Sequence, residues 1–366
     1  MPSQALLTVV LLFGGRSSEH TISCATAGGV LSAIDRSKYR VIPVGITRDG
    51  AFTLQPDDAG LFRLNPDAMP LVSDNGTRVS WPDSALSREL TYRDAAGESH
   101  SLGDVDVVFP ILHGPYGEDG TVQGLLELVG LPYVGNGVLA SALGMDKHYT
   151  KSVLEAAGVQ VAPWVTVTPH QWSTERELWH GRAVSLGLPL FVKPARAGSS
   201  VGVTKVASLD ELDAALEVAF AEDSKALIES AVAGREVECG VLSGRAGAPT
   251  RVSVAGEIIV TGREFYDFEA KYLDDSAAQL VCPADLHEGE LAEMQRVAAR
   301  AFDAIGGSGL ARVDFFFTGT DFIVNELNTM PGFTPISMYP KCWEASGMTY
   351  PELIDELITL GLEAIR

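Results

Sequence analysis

At 366 residues the chain is about twice the usual domain length, so two or three domains sharing one cleft are expected. Its 46% hydrophobic residues, 37 Gly and 19 Pro are ordinary for a globular enzyme, and the sequence carries no evident repeat or low-complexity tract. With 27 Lys+Arg against 48 Asp+Glu, the net charge of -21 argues against nucleic acid or an anionic membrane as partner, so any phosphate ligand has to be held by a few local cations or a metal.

The apolar opening "ALLTVVLLF" reads as a buried first strand rather than a signal peptide, because its first basic residue, Arg16, follows the run and "GGRSSEH" is no small-residue cleavage site. No apolar run reaches the ~18 residues needed to cross a bilayer. Four scattered cysteines, Cys24, Cys239, Cys282 and Cys342, have no metal or redox spacing, which fits a reducing cytoplasm. From Thr8 to about Leu112, β-rich runs ("TVVLLF", "YRVIPVGI", "VDVVFPIL") alternate with helical ones, predicting an open parallel sheet with helices on its faces. The polar stretch from about Gln55 to Ser101 reads as a surface insertion. "EDGTVQGLLELVG" then predicts a helix and "LPYVG" a strand, before a helix N-capped by Asp146 and stopped at Gly158. "LGLPLFVKPARAGSSVGVTKVAS" has the grammar of a hairpin with a Gly/Ser loop. Domain boundaries are expected near residues 118 and 212, giving domains 1–118, 119–212 and 213–366. The last carries closely spaced strands of an antiparallel or mixed sheet and a final helix announced by the Thr349/Glu352 capping box.

Chemistry concentrates in a few places. Residues i and i+2 of a strand share a face, so Glu326 and Asn328 in "NELNTMPGF" project together, as do Arg312 and Asp314 in "ARVDFFF". If the turn "TGTD" joins these strands as neighbours, two carboxylates and an amide oxygen converge as hard ligands suited to Mg²⁺ carrying nucleotide phosphates. One such pair alone could be a solvated outer face. Here the apolar flanks on both alternations predict strands covered on both sides, where a carboxylate has to be paired or metal-bound. In "FVKPARAGSSVGV", Lys193 ends an apolar strand and the Arg196–Gly202 loop could cradle phosphate oxygens, or be a plain surface turn; it is not a Walker A loop. Lys147 stands in a first helical turn, where the macrodipole disfavours a cation unless it meets an anion or solvent. "FYDFEAKYLDD", with Lys271 beside Tyr272, is a candidate water-excluding lid or a solvated loop. "LLFGGRSSEH" and "FPILHGPYGEDG" each end a parallel strand in a glycine loop bearing Glu19 or His113, and ligands bind at such strand ends.

Taken in order, "LHGPYGEDG", "GMDK", "FVKPARAGSSVGV", "EAKYLDD", "GLARVDFFF" and "NELNTMPGF" resemble the D-alanine:D-alanine ligases of the ATP-grasp superfamily over nearly the whole chain. The resemblance implies an α/β, three-domain ATP-grasp fold: an N-terminal open parallel sheet of the pre-ATP-grasp type and two ATP-grasp subdomains enclosing the nucleotide. It implies ATP-dependent joining of two D-alanines for peptidoglycan precursor synthesis by a cytoplasmic homodimer. By the resemblance Asp314, Glu326 and Asn328 hold two Mg²⁺ ions, with Mn²⁺ as a substitute and a monovalent cation left open. Lys147 and Lys193 contact the ATP phosphates under a cover of Ser199, Ser200, Val201 and Gly202. Glu229, Ser230 and Val232, with Glu236, hold adenine and ribose; family members often have Lys where this chain has Ser230. Glu19 meets the first D-alanine's amino group, and His113 joins it in the substrate site. Arg312 and the Gly332 N–H form the oxyanion hole, Ser337 and Lys271 hold the second carboxylate, and Tyr272, Ser199 and Glu19 close the lid as a hydrogen-bonded triad. A D-alanine:D-lactate ligase is the nearest rival, disfavoured by "EAKY". A nicotinamide-dependent dehydrogenase lacks the third glycine of its fingerprint, and a non-catalytic nucleotide binder would have no need of Arg312 or Tyr272.

Overall fold

The computed structural model describes residues 5–65, 68–198, 200–260 and 278–364. The chain opens with β1 (Leu7–Gly14), α1 (His20–Ala33), β2 (Tyr39–Ile46) and β3 (Phe52–Leu54), and returns to the same sheet through β7 (Val107–Pro110) after an antiparallel excursion through β4 (Arg78–Ser80), β5 (Glu89–Arg93) and β6 (Ser99–Asp104). The main sheet runs β3-β2-β1-β7, with β1 parallel to both neighbours. Alternate β1 residues serve two cores. Val9, Leu11 and Phe13 pack towards α1, and Val10 and Leu12 pack on the opposite face, which is why the strand is apolar at both parities. The segment expected as a surface insertion does more than decorate: β4 to β6 bury Val79 and Leu90 against Val10 and Leu12 and so cover that second face. "LPYVG" contributes a single bridge, Tyr133 to Val108, in place of the expected strand.

Helices α2 (Thr121–Leu128), α3 (Val138–Met145) and α4 (Lys147–Ala156) lead out of this layer. As read from the sequence, Asp146 caps α4, accepting from the N–H groups of His148 and Tyr149, and the chain turns at Gly158 with φ +70°. The second sheet is built from β8 (Trp164–Val167), β9 (Leu190–Pro194), β10 (Thr204–Val206) and β11 (Ala226–Ser230) in the order β10-β9-β11-β8, backed by α5 (Pro169–Thr174), α6 (Arg176–Leu186) and α7 (Leu212–Glu222). The β9–β10 hairpin is present, with Thr204 opposite Val192. Because β11 pairs with both β8 and β9, this layer extends past residue 212, where the sequence put a boundary.

The third sheet, β14-β13-β12-β15-β16, is antiparallel throughout: β12 (Arg235–Leu242), β13 (Arg251–Val260), β14 (Ala278–Val281), β15 (Leu310–Phe317) and β16 (Phe322–Asn328), with helix Glu288–Ala304 on its apolar face. Helices Met338–Ala345 and Tyr350–Glu363 close the chain, the latter started by the expected capping box. Although it follows the third sheet in sequence, this last helix buries Leu353, Ile354, Leu357 and Ile358 among Val9, Leu11, Phe109 and Phe333, and so locks the first layer to the end of the chain. Replacing fully buried Leu357 by Ala should remove about 2–5 kcal/mol of stability through lost burial and a residual cavity. A denaturant midpoint equal to that of the wild type would show that the last helix is not part of this core.

Candidate active site

The three sheets meet around a cleft of about 550 Å³. Its floor is the β15–β16 hairpin, whose register sets Asp314 opposite Glu326 and Arg312 opposite Asn328; counted from the turn at 318–321 alone, Asp314 would face Asn325, and a shift between Asp314 and Phe315 makes the difference. The Arg312 Nε and Nη2 donate to the two Asp314 oxygens at 2.6 and 2.7 Å, and the Asn328 amide donates to Asp314 Oδ2 at 3.0 Å. Glu238, facing Asp314 from β12 and 3% exposed, brings Oε2 to 3.3 Å from Arg312 Nε. Burial opposes the guanidinium charge, but Asp314 and Glu238 outweigh it and hold Arg312 charged well above its ordinary range. The expectation that both strand faces are covered needs correction. Val313, Phe315 and Phe317 sit in the core, whereas Arg312, Asp314 and Phe316 are half-buried and line the cleft. Phe316, whose apolarity suggested a second covering layer, is itself cleft wall.

A break in register between Asp314 and Phe315 brings Asn325 into the same cleft as Glu326, and its Oδ1 lies 3.5 Å from Lys193 Nζ. Lys193 also donates to Glu229 Oε1 at 3.0 Å, and Lys151 Nζ lies 2.9 Å from Glu229 Oε2. Burial pushes the Glu229 carboxyl up, but these two ammonium groups prevail and hold it below its ordinary value. Its carboxylate is held by these two lysines, and Glu229 lines the cleft. The hydroxyl of Ser230, next in line, donates to the Leu186 carbonyl at 2.9 Å. Val232 and Glu236 line the cleft beside them.

Lys147 solves the problem of a cation at a helix start by donating from Nζ to the Ala197 carbonyl at 2.7 Å, 3.9 Å from Glu326 Oε2, while its N–H donates to the Ala195 carbonyl at 3.0 Å. Backbone and side chain of one residue thus pin the β9–β10 loop. In that loop Ser200 (φ +60°) and Gly202 (φ +70°) take left-handed conformations, and a Cβ on Gly202 would stand 2.8 Å from the Pro194 ring. Ser200 lines the cleft, whereas Val201 is 37% exposed and, with Gly202, is not among the lining residues. Ser199, Lys271 and Tyr272, with the expected lid, lie outside the described residues.

From the first sheet, Glu19 enters at the start of α1, buried, with its carboxylate so near two loops that a Cβ on Gly114 would meet Oε2 at 2.8 Å and one on Gly198 at 3.4 Å. His113 Nδ1 is 3.1 Å from the Met330 carbonyl, which can only accept, so Nδ1 carries the proton. Burial lowers the His113 pKa and keeps the ring neutral, linking the first sheet to the "TMPGF" loop. In that loop Gly332 approaches Ser337 closely enough that a Cβ would lie 3.3 Å from its Oγ, and Ser337 Oγ contacts Thr334 Oγ1 at 2.7 Å. Glu118 completes the wall, its Oε2 accepting from the Gly114 N–H at 2.5 Å; burial, then the nearby Glu19, raises its carboxyl to about 8.

Four residues of this assembly were not singled out from the sequence: Glu118, Lys151, Glu238 and Asn325. Three carried a signal. Lys151 follows Lys147 by one helical turn, Glu238 follows Glu236 on one strand face, and Glu118 sits in the glycine loop of His113. Asn325 carried none, because a bulge places it.

The family model described as "D-ala D-ala ligase N-terminus" matches residues 8–136, and that described as "D-ala D-ala ligase C-terminus" matches residues 153–359. The chain is 54% identical to a D-alanine–D-alanine ligase of Arthrobacter sp. (strain FB24), covering 99% of this chain and 95% of the relative. It is 51% identical to one of Streptomyces coelicolor, covering 97% and 92%. Among solved structures it superposes on the VanG D-Ala:D-Ser ligase from Enterococcus faecalis with TM-score 0.83 (34% identity, 98% and 100% covered) and on the D-alanine-D-alanine ligase from Coxiella burnetii with TM-score 0.78 (35% identity, 98% and 94% covered).

The Glu118 carboxyl gives the site a pH signature. An unfolded glutamic acid ionises near 4.5, whereas the folded one holds its proton to about 8. The folded chain therefore binds a proton the unfolded chain has released, and its stability falls as pH rises across that window. Glu118→Gln, which cannot ionise, should gain in urea midpoint relative to wild type as pH rises from about 5 to about 8. A difference that stays constant with pH would mean that Glu118 ionises normally.

Proposed function

The chain belongs to the D-alanine–D-alanine ligase family, and we infer from that membership and from its cleft that it joins two D-alanines to D-alanyl-D-alanine, a building block of peptidoglycan, converting ATP to ADP and phosphate. The observation that carries this reading is the cleft face of the β15–β16 hairpin. There Asp314, Glu326, Asn328 and Arg312 stand together, with Lys147 and Lys193 on the opposite wall. The second-substrate alternative, D-lactate, finds no support among the named relatives above.

A carboxylate is a poor acyl donor because its leaving group is oxide, so ATP first converts one D-alanine carboxylate to an acyl phosphate. Lys147 and Lys193, which line the cleft, bind the transferring phosphates in this reading. The oxygens of Asp314, Glu326 and Asn328 fit Mg²⁺, and two ions are our proposal for them: the Asn328 amide nitrogen is engaged by Asp314, which leaves its oxygen as the group it can offer a cation. Bound there, Mg²⁺ supplies charge neutralisation for phosphoryl transfer. Glu19 attracts the first D-alanine's ammonium at the helix start. Neutral His113 and protonated Glu118 stand beside it. The second D-alanine, its carboxylate on Ser337, attacks the acyl phosphate, and Arg312 with the Gly332 N–H steadies the resulting oxyanion before phosphate leaves. In the same reading Lys271 assists Ser337, and Tyr272, Ser199 and Glu19 close a lid that excludes water from the acyl phosphate. We place the enzyme in the cytoplasm as a homodimer; no helix among the described residues is long and apolar enough to cross a membrane.

Phosphate release from ATP and Mg²⁺ should require D-alanine and not L-alanine, and the product should have the mass of a dipeptide, with D-lactate or D-serine incorporated poorly in competition. A depsipeptide or D-alanyl-D-serine as the main product would overturn the assignment of the second substrate. Arg312→Lys should fold as wild type yet lose about a hundred- to a thousand-fold in kcat, the usual consequence of weakening one oxyanion donor. An unchanged kcat would take Arg312 out of the oxyanion hole.

A further inference from the structure

Cys282 and Cys342, 60 residues apart in sequence, lie with their Sγ atoms 3.8 Å apart. Cys282 follows the edge strand β14 and is half-buried, whereas Cys342 is wholly buried in the helix Met338–Ala345. The two elements form different walls of the cleft: Leu280 lines it just before Cys282, and Ser337 and Met338 line it at the helix start. This helix has no slack against the sheet. A Cβ on Gly240 of β12 would meet Trp343 Nε1 at 2.5 Å, and one on Gly256 of β13 would collide with Met338 Sδ.

We propose that Cys282 and Cys342 are an oxidation-sensitive dithiol, closed by peroxide to a disulfide that ties β14 to the helix bearing Ser337 and thereby restrains the cleft. The chemistry balances as two thiols and one hydrogen peroxide giving one disulfide and two waters. The Cys282 thiolate attacks a peroxide oxygen, the O–O bond breaks, and sulfenic acid and the first water form. The Cys342 sulfur then attacks the Cys282 sulfur, the S–S bond forms, and hydroxide leaves with the thiol proton as the second water. The order follows from access, since Cys282 is the one of the pair within reach of solvent. The contact with Cys342, assisted by nearby Lys341, lowers the Cys282 pKa despite partial burial, which favours the same order. A disulfide bond is about 2.0 Å long, so closure draws the two walls together from thiol contact. Cys239 is fully buried, without the solvent access of Cys282, and Cys24 belongs to the first layer.

The activity consequence rests on the ligase reading, but the crosslink does not, so the two are measured separately on the full chain. After hydrogen peroxide treatment and proteolysis, mass spectrometry should find the Cys282 and Cys342 peptides joined, lighter by two hydrogens and separated again by dithiothreitol. Cys282→Ser and Cys342→Ala should both lack the joined species. In the wild type, D-alanine-dependent phosphate release should fall about ten-fold on oxidation and recover with dithiothreitol, while Cys282→Ser keeps its rate throughout. Oxidation of Cys282 to sulfinic acid without a crosslink, or a crosslink that survives Cys282→Ser, would overturn the dithiol. A crosslink that leaves phosphate release unchanged would overturn the restraint on the cleft.

Discussion

Asp314, Glu326 and Glu238 are three carboxylates gathered on one sheet face, in a chain that already carries 21 excess negative charges. Like charges brought this close in a half-buried site repel strongly unless a cation sits among them. The guanidinium of Arg312, forked onto Asp314 and 3.3 Å from Glu238, is the cation the fold supplies. A lysine would offer one point charge where the fork offers two parallel bonds, so geometry as well as charge is fixed at this position. Lys147, 3.9 Å from Glu326, extends the same logic across to the helix start of α4. Arg312 shares the sheet of the carboxylates, whereas Lys147 and Lys193 reach the cleft from α4 and β9.

The cleft accordingly sorts its ionisable groups by burial. Those with a partner of opposite sign keep their charge at depth: Glu229, 2% exposed, lies between Lys151 and Lys193. Those without one surrender it, and burial leaves His113 neutral and Glu118 protonated. This division matters for a reaction that handles an ammonium, several phosphate oxygens and a developing oxyanion in one space. An ionised Glu118 would repel the acyl phosphate, whereas a protonated one can donate a hydrogen bond.

Much of this was legible in the sequence because it rests on local periodicity. The i, i+2 spacing suffices to predict that Glu326 and Asn328 share one face and that Arg312 and Asp314 share one, but it is the bulge beside Asp314, not the four-residue turn, that makes the two faces the same. The Asp146 cap and the Thr349/Glu352 box were readable for the same reason. What escaped depends on contacts between distant segments. Phe316 looked like core because periodicity reports which residues share a face and not what that face meets. The bulge that admits Asn325 shifts parity by one, which no alternating pattern encodes. The final helix reads as part of the last domain by position and belongs to the first by packing, through Leu353 and Leu357 against β1 and β7. The Cys282–Cys342 contact has no sequence spacing to announce it at all.

That last helix also bears on how the cleft keeps its shape. Gly332 and Ser337 belong to a loop held from two sides: the His113 imidazole donates to Met330, and Tyr350, in the first turn of the helix, donates to the Phe333 carbonyl at 2.7 Å. Phe333 itself is fully buried against Phe109, Tyr339 and Tyr350, drawn from β7 and both closing helices. The N–H proposed for the oxyanion thus hangs on a loop whose neighbours on either side are bonded into the first layer, although its sequence continues from the third. A donor aimed at a transient charge is effective only if it needs no reorganisation when the charge appears. Tying the "TMPGF" loop to two layers at once supplies that rigidity, and it gives a reason for a chain whose cleft floor is a hairpin of one sheet to brace another with its final helix.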